Sequence, residues 1–234
     1  QKVPLDQIAA ALRIKKMFLK KYFTVCFASI GKKEFEIIRK TVIDLSEKFK
    51  DIFFIIVPRH PNDFNKNKIL FEGSSIKVKA RTDILEKKLD FENISFDIFQ
   101  NLNDFSLLWG DSLGELNFFM AMSDLIFMGD SLNDEGSHNI IEPFALQKSV
   151  IVGPSIWGIE YPALEALDAG ILKKISAQKE LVPALVAAYN SNKEKNFNKK
   201  RIIKIKNFYE SNKGASDRFF HQMVDHNFLK ANNS

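Results

Sequence analysis

Residues 129–146 read GDSLNDEGSHNIIEPFAL and follow an apolar run, DLIFM. These eighteen residues hold two glycines, two serines, two asparagines, a histidine and four carboxylates. A plain turn needs roughly four residues, so the excess of polar groups points to a ligand. Asn139 and Glu142 stand three apart at the start of an expected helix. That spacing fits a capping box, in which Asn139 caps the helix and Glu142 reaches back. The same carboxylate could instead accept both hydroxyls of a ribose. Free N–H groups at a helix start favour an anion. Asp130, Asp134 and Glu135 add acids, but EF-hand spacing is lacking and no metal is expected.

Three more polar clusters carry possible chemistry. In PRHP, 58–61, Arg59 offers a planar donor fork for phosphate or carboxylate, and His60 sits beside it between two prolines. A surface ion pair fits Arg59 equally well, and His60 reads as a hydrogen-bonding scaffold residue rather than a catalyst. In GDSLGE, 110–115, Gly114 would let a backbone approach a ligand near a helix start, though a simple capped turn reads equally well. The fourth cluster is GPSIWG, 153–158.

The elements that must position these clusters alternate. Apolar β-type runs are expected at 23–29, 51–58, 75–80, 106–110, 124–128, 149–154 and 171–175. Several show little alternation, as strands covered on both faces of a parallel sheet do. Between them lie helical periods. Phe35, Ile38, Val42, Leu45 and Phe49 make one apolar face over 32–50. Shorter helices are expected at 113–123, 140–147 and 161–170, and three more from Gln178 onward. The stretch 83–105 lacks a period and reads as an insertion. The fold class is α/β, a Rossmann-like parallel sheet flanked by helices. In such sheets ligands gather at the C-terminal strand ends, where all four clusters fall.

Composition narrows the classes. The 234 residues are 45% apolar, with 22 Phe, and the formal net charge is +5. This mild basicity suits an anionic ligand or surface. The segment 193–206, KEKNFNKKRIIKIK, has seven basic residues against one acid and could lie on anionic lipid or be a solvated helix face. Nucleic acid is not expected, because no basic, aromatic-studded module is visible. The lone Cys26 sits in an apolar run and excludes an internal disulfide and a Cys-x-x-Cys zinc site. No run approaches the roughly eighteen apolar residues of a spanning helix, and no signal peptide is read. The chain starts at Gln1 rather than Met and is expected to be a piece of a longer protein.

Taken together these motifs resemble the C-terminal half of the bacterial Kdo transferases, which attach 3-deoxy-D-manno-octulosonic acid (Kdo) to lipid A precursors. VPRHPNDF at 57–64 is similar to the family's V-P-R-H-P-x-R-F, and GDSLGEL at 110–116 to its G-D-T-M-G-E-L. GDSL at 129–132, GSHNIIEPFAL at 136–146 and QKSVIVGP at 147–154 are similar to its G-G-S-L, G-G-H-N-x-x-E-P-A and G-K-P-V-x-x-G-P. NKGASDRFF at 212–220 resembles its R-G-A-T-x-R. The match runs from about Phe23 to Phe220. It departs at ASIGKKEF, 28–35, where the family has A-S-T-H-x-G-E-E, at Ser137, and at GPSIWGI, where the family has G-P-H-T-F-N-F.

The resemblance implies the C-terminal half of a GT-B glycosyltransferase that is inverting and needs neither cofactor nor metal. The donor CMP-Kdo would bind through Arg59, His60, Gly114, Glu115, Ser131, His138, Asn139 and Glu142. Glu142 would hold the ribose, and backbone near Gly114 and Glu115 the cytosine. No catalytic residue is expected in this chain, because the base and the lipid A precursor site would lie in an N-terminal domain. It implies an interdomain helix over 1–22, a donor domain over 23–214 and a terminal helix over 215–234 that crosses to the other domain. It places the protein peripherally at the cytoplasmic face of the inner membrane, binding CMP-Kdo or CMP but not transferring sugar alone. The alternatives are a GT-B enzyme using a UDP-sugar and a non-catalytic scaffolding module.

Overall fold

The computed structural model describes residues 4–84, 91 and 105–212. The calls on the segment 83–105, apart from its ends and Phe91, and on the terminal helix over 215–234 lie outside these residues.

Seven parallel strands form the sheet. They are β1 (Phe23–Ile30), β2 (Ile52–Pro58), β3 (Val78–Ala80), β4 (Leu107–Trp109), β5 (Leu125–Met128), β6 (Ser149–Val152) and β7 (Leu172–Lys174). Their spatial order is β3-β4-β2-β1-β5-β6-β7. Each lies within or close to a run expected from the sequence, and every pairing is parallel. The low alternation has the expected cause, since β1, β2, β5 and β6 are buried along their whole length. Successive side chains go to opposite faces, so Cys26 and Ala28 feed one core while Val25 and Phe27 feed the other.

Helices cover both faces. On one side lie α1 (Leu5–Met17), α5 (Leu116–Ala121), α6 (Ile141–Ala145), α7 (Glu160–Asp168) and α9 (Lys195–Asn212), which contribute Ile14, Phe118, Phe144, Ala163 and Ile205 to one core. On the other lie α2 (Phe35–Lys48) and α8 (Leu181–Lys193), which contribute Ile38, Val42, Leu45, Leu185 and Tyr189. Short helices α3 (Asn67–Leu70) and α4 (Arg81–Ile84) flank β3. Each fully buried Phe or Leu contributes about 1.5–3 kcal/mol, so this two-sided core fixes the sheet and leaves its C-terminal rim free to vary. Helix α7 ends as its glycine signalled, with Ile171 N donating to Ala166 O and Gly170 N to Leu167 O. Cys26 is buried, and burial raises its thiol to about 12, a packing residue rather than a nucleophile.

The opposite end of the sheet is tied by charge. Lys15 of α1 donates to Tyr22 O, Thr24 Oγ1 and Asp124 Oδ2, the last at 2.5 Å. Lys148 donates to the carbonyls of Ala121 and Ser123, just past the end of α5. Burial lowers its ammonium to about 8. No described helix is long and apolar enough to cross a membrane.

Candidate functional site

The strand order reverses at β1. The chain builds outward through β2 on one side, then returns to lay β5 on the other. A crevice opens at such a switch point, beyond the C-terminal strand ends. Here β1 carries a bulge. Phe27 faces Ile56 but Ile30 faces Pro58, so β1 has one extra residue. That residue region includes Ser29, buried with a left-handed φ of 55°. The neighbouring β5 is followed by Gly129, whose N–H donates to Ala28 O at 2.8 Å. A Cβ at 129 would run into the Ser29 backbone, so only glycine permits this approach. Asp130 follows with φ 58° and is also buried.

A cavity of about 380 Å³ sits at this point, lined by Gly31, Lys32, Lys33, Arg59, His60, Asp130 and Glu135. The Arg59 N–H donates to Ile30 O, which carries the loop after β2 across the end of β1. Its guanidinium pairs with the Asp130 carboxylate. Lys33 Nζ meets Glu135 Oε1 at 2.5 Å, with both side chains exposed. Lys32 is exposed and has no ion-pair partner among the described residues. Three permanent cations therefore face two carboxylates around the cavity, an arrangement that favours an anionic ligand.

One side chain organises this wall. Glu34, at the end of a single 3-10 turn (Lys32–Glu34), is fully buried. Its Oε2 accepts from Gly31 N at 3.1 Å and Asp130 N at 2.7 Å, and its Oε1 from Leu132 N at 2.9 Å. Burial raises its carboxyl to about 7, although the N–H donors and Arg59 pull the other way and Glu135 adds to the rise.

The residues expected from the sequence divide. Arg59 and His60 line the cavity. His138 is half-buried beside them, and its buried Nε2 has no hydrogen-bond partner among the described residues. Burial, then the nearby Arg59 and His60, lowers its pKa and keeps the imidazole neutral. Asn139 and Glu142 stand on the same loop. Asn139 Oδ1 accepts from Ile141 N at 2.9 Å in a two-residue turn just ahead of α6, whose N-cap position is Ile140, and Glu142 meets Asn139 Nδ2 at 3.4 Å rather than the Asn139 backbone. The expected capping box does not form, and the half-buried Glu142 carboxylate has one weak partner among the described residues.

Ser131 is fully buried. It donates to Met128 O at 2.5 Å and accepts from Gly153 N at 2.7 Å, so its hydroxyl ties the end of β5 to that of β6. Gly114 and Glu115 do not line the cavity. The Gly114 carbonyl accepts from Gln7 Nε2, and α5 begins only at Leu116. Glu115 is buried and takes both arms of the Arg81 guanidinium, with Ser112 Oγ on the same carboxylate. Its side chain is thus committed to linking β3 to β4, and only backbone at 114–115 is left for a ligand.

Sequence reasoning missed Glu34, Lys32 and Lys33. The signal was the three-residue step from Gly31 to Glu34, which is the step of a reciprocal turn cap. It also weighed Asp130 and Glu135 only as metal ligands, whereas each faces a cation here. Among the described residues no group of three or more His, Cys, Asp or Glu could hold a metal ion.

Known proteins share this sequence pattern. The chain is 32% identical over 166 residues to the 3-deoxy-D-manno-octulosonic acid transferase of Haemophilus influenzae, covering 70% of this chain and 35% of that protein. It is 26% identical over 197 residues to the enzyme of the same name from Rickettsia typhi, covering 84% of this chain and 39% of that protein. This chain is a relative of the Kdo transferases. Those relatives are glycosyltransferases, and the chain spans little more than a third of their length. No family model matches it. Its fold is that of the C-terminal CMP-Kdo binding domain of WaaA from Acinetobacter baumannii, with a TM-score of 0.72 at 20% identity, over 88% of this chain and 98% of that one. The Rossmann-like half of a GT-B fold, expected from the sequence, is the fold found.

Proposed function

We propose that this chain is the donor-binding part of a Kdo transferase and takes CMP-Kdo, or CMP, into the cavity at the β1/β5 switch point. The observation that carries this reading is the cationic wall of Lys32, Lys33 and Arg59 at that point. CMP-Kdo is anionic twice over, at its phosphate and at the Kdo carboxylate. Arg59 presents a planar fork for either group, and Lys32 and Lys33 add charge on the opposite loop. The neutral His138 stands beside Arg59 and His60, with its Nε2 buried rather than open to the cavity. Glu142 accepts the ribose hydroxyls, with Asn139 beside it, and the backbone at Gly114 and Glu115 meets the cytosine. Ser131 supports the wall from behind. Since the Ile141 N–H is already taken by Asn139 Oδ1, charge from side chains carries more of the anion binding than a helix start does.

In this reading the acceptor, a lipid A precursor, and the catalytic base come from a domain outside this sequence. The base removes a proton from an acceptor hydroxyl, whose oxygen attacks the anomeric carbon with inversion as CMP departs. The role of the residues here is to hold the donor and stabilise the charge growing on the leaving phosphate, without metal. The chain alone binds nucleotide without transferring sugar. Helix α9 buries Ile205 and sets Phe208 against Phe144, so Lys199, Lys200, Ile203, Lys204 and Lys206 face outward. That basic face suits peripheral contact with the anionic cytoplasmic side of the inner membrane.

The test is calorimetric titration of the chain with CMP and UDP side by side. The reading expects CMP to bind more tightly. Tighter UDP binding assigns the site to a UDP-sugar enzyme, and binding of neither supports a scaffolding module.

A further inference from the structure

We propose that Glu34 is the positioning residue of this site, clamping the loop after β1 to the loop after β5 so that Lys32, Lys33 and Arg59 face one ligand. It rests on the donor-site reading given above. The geometry makes the argument. Three backbone N–H groups from two loops converge on one carboxylate, from Gly31 on one side and Asp130 and Leu132 on the other. The carboxylate is fully buried, so it touches no ligand itself. Asp130, held by its N–H, aims its own carboxylate at Arg59. The Asp130 carboxylate also lies directly against Gly31, where a Cβ would overlap it. Moving Glu34 therefore moves the acid that orients Arg59 and the loop that carries the two lysines.

The clamp needs the ionised form. A carboxylate accepts at both oxygens, and Oε2 must serve two N–H groups at once. A proton on it turns an acceptor into a donor facing donors. The surrounding charges are few and largely committed. Arg59 comes from the loop after β2 and pairs with Asp130, while Glu135 comes from the loop after β5 and pairs with Lys33 of Glu34's own turn. Lys32 and His60 line the same cavity. Burial dominates among the influences on Glu34 and sets its titration at about 7. The clamp is then formed above neutrality and loosens below it.

The experiment follows the amide resonances of Gly31, Asp130 and Leu132 by NMR in the full chain from pH 5 to pH 9, without ligand. Three amides shifting together with one midpoint, and losing that common titration in Glu34→Gln, is the expected result. Calorimetry with CMP accompanies it. Wild type should bind less tightly at pH 6 than at pH 8, and Glu34→Gln should bind at least about tenfold more weakly at pH 8, the loss of one charge-assisted hydrogen bond. Three amides with unrelated midpoints, or a folded Glu34→Gln with unchanged CMP affinity, overturns the proposal. Wild type that binds no CMP yet keeps the shared titration removes the donor-site reading and leaves the clamp standing.

Discussion

Arg59 and Asp130 form an ion pair over the end of β1, although they belong to loops that follow β2 and β5 on opposite sides of it. The Asp130 side chain is 3% exposed and that of Arg59 34%. The acid is thus the buried partner and the guanidinium the movable one, free to lean toward a ligand. Removing the arginine does two things at once. It deletes a cation from the cavity and leaves a buried carboxylate without its partner.

Arg59→Ala should therefore lower stability by about 1–3 kcal/mol, the cost of orphaning a buried polar group. Adding Asp130→Asn should recover part of that loss, because asparagine tolerates the left-handed backbone at 130. Nucleotide binding should stay weak in both variants. Urea unfolding of the wild type, both single variants and the double variant measures the coupling. Strictly additive losses would show that the pair contributes nothing to the fold.

Ser131 makes the complementary case, a polar residue in the motif whose work is internal. Ser131→Ala strands the Gly153 N–H and removes the bond to Met128 O. Unfolding should become easier by about 1–3 kcal/mol. CMP affinity, measured on the folded protein, should change far less than it does for Arg59→Ala.

These two residues show what could be read without a structure. The strands were legible because their full burial writes unbroken apolar runs, and the rim followed from their being parallel. Arg59 and His60 were noticeable because they stand between two prolines directly after an apolar run, and both line the cavity. Whether a polar residue faces a ligand or the protein was not legible. Ser131 and Glu115 face inward because of Gly153 and Arg81, which lie 22 and 34 residues away. Glu34 was missed for the same reason, since its decisive donors are on another strand's loop, 96 and 98 residues on. Spacing along the chain reports local partners, and this site is assembled from distant ones.

Glu34 also ties stability to pH, with a definite sign. Its folded carboxyl titrates at about 7, above the ordinary 4.5. Between those values the folded chain keeps a proton that the unfolded chain releases. Its contribution to stability is therefore fully present below 4.5 and is lost as pH rises through about 7. His138 acts oppositely, because its lowered pKa makes the folded state the poorer proton binder. The difference in melting temperature between wild type and Glu34→Gln isolates the first effect. Wild type should lose ground to the variant as pH rises from 5 to 8, while CMP affinity rises over the same range. A difference independent of pH would show that Glu34 is already ionised throughout.

Glu142 carries the sharpest test of the nucleotide reading, because it has so little else to do. Its one hydrogen bond among the described residues is the 3.4 Å contact with Asn139, and Asn139 accepts from Ile141 N without its help. Glu142→Ala should thus change stability by no more than about 0.5 kcal/mol, as for a surface substitution away from any cap or network. If the carboxylate accepts both ribose hydroxyls, the same change should weaken CMP binding by about 1.5–3 kcal/mol, the worth of hydrogen bonds to a charged group. The cycle closes with 2′,3′-dideoxy-CMP, which has no hydroxyls to offer. Against that ligand wild type and Glu142→Ala should bind alike, both at the weakened level. An equal loss with CMP and its dideoxy form would mean that Glu142 acts on the loop and not on the sugar. No loss with either would move the ribose elsewhere on the rim while leaving the Arg59 site intact.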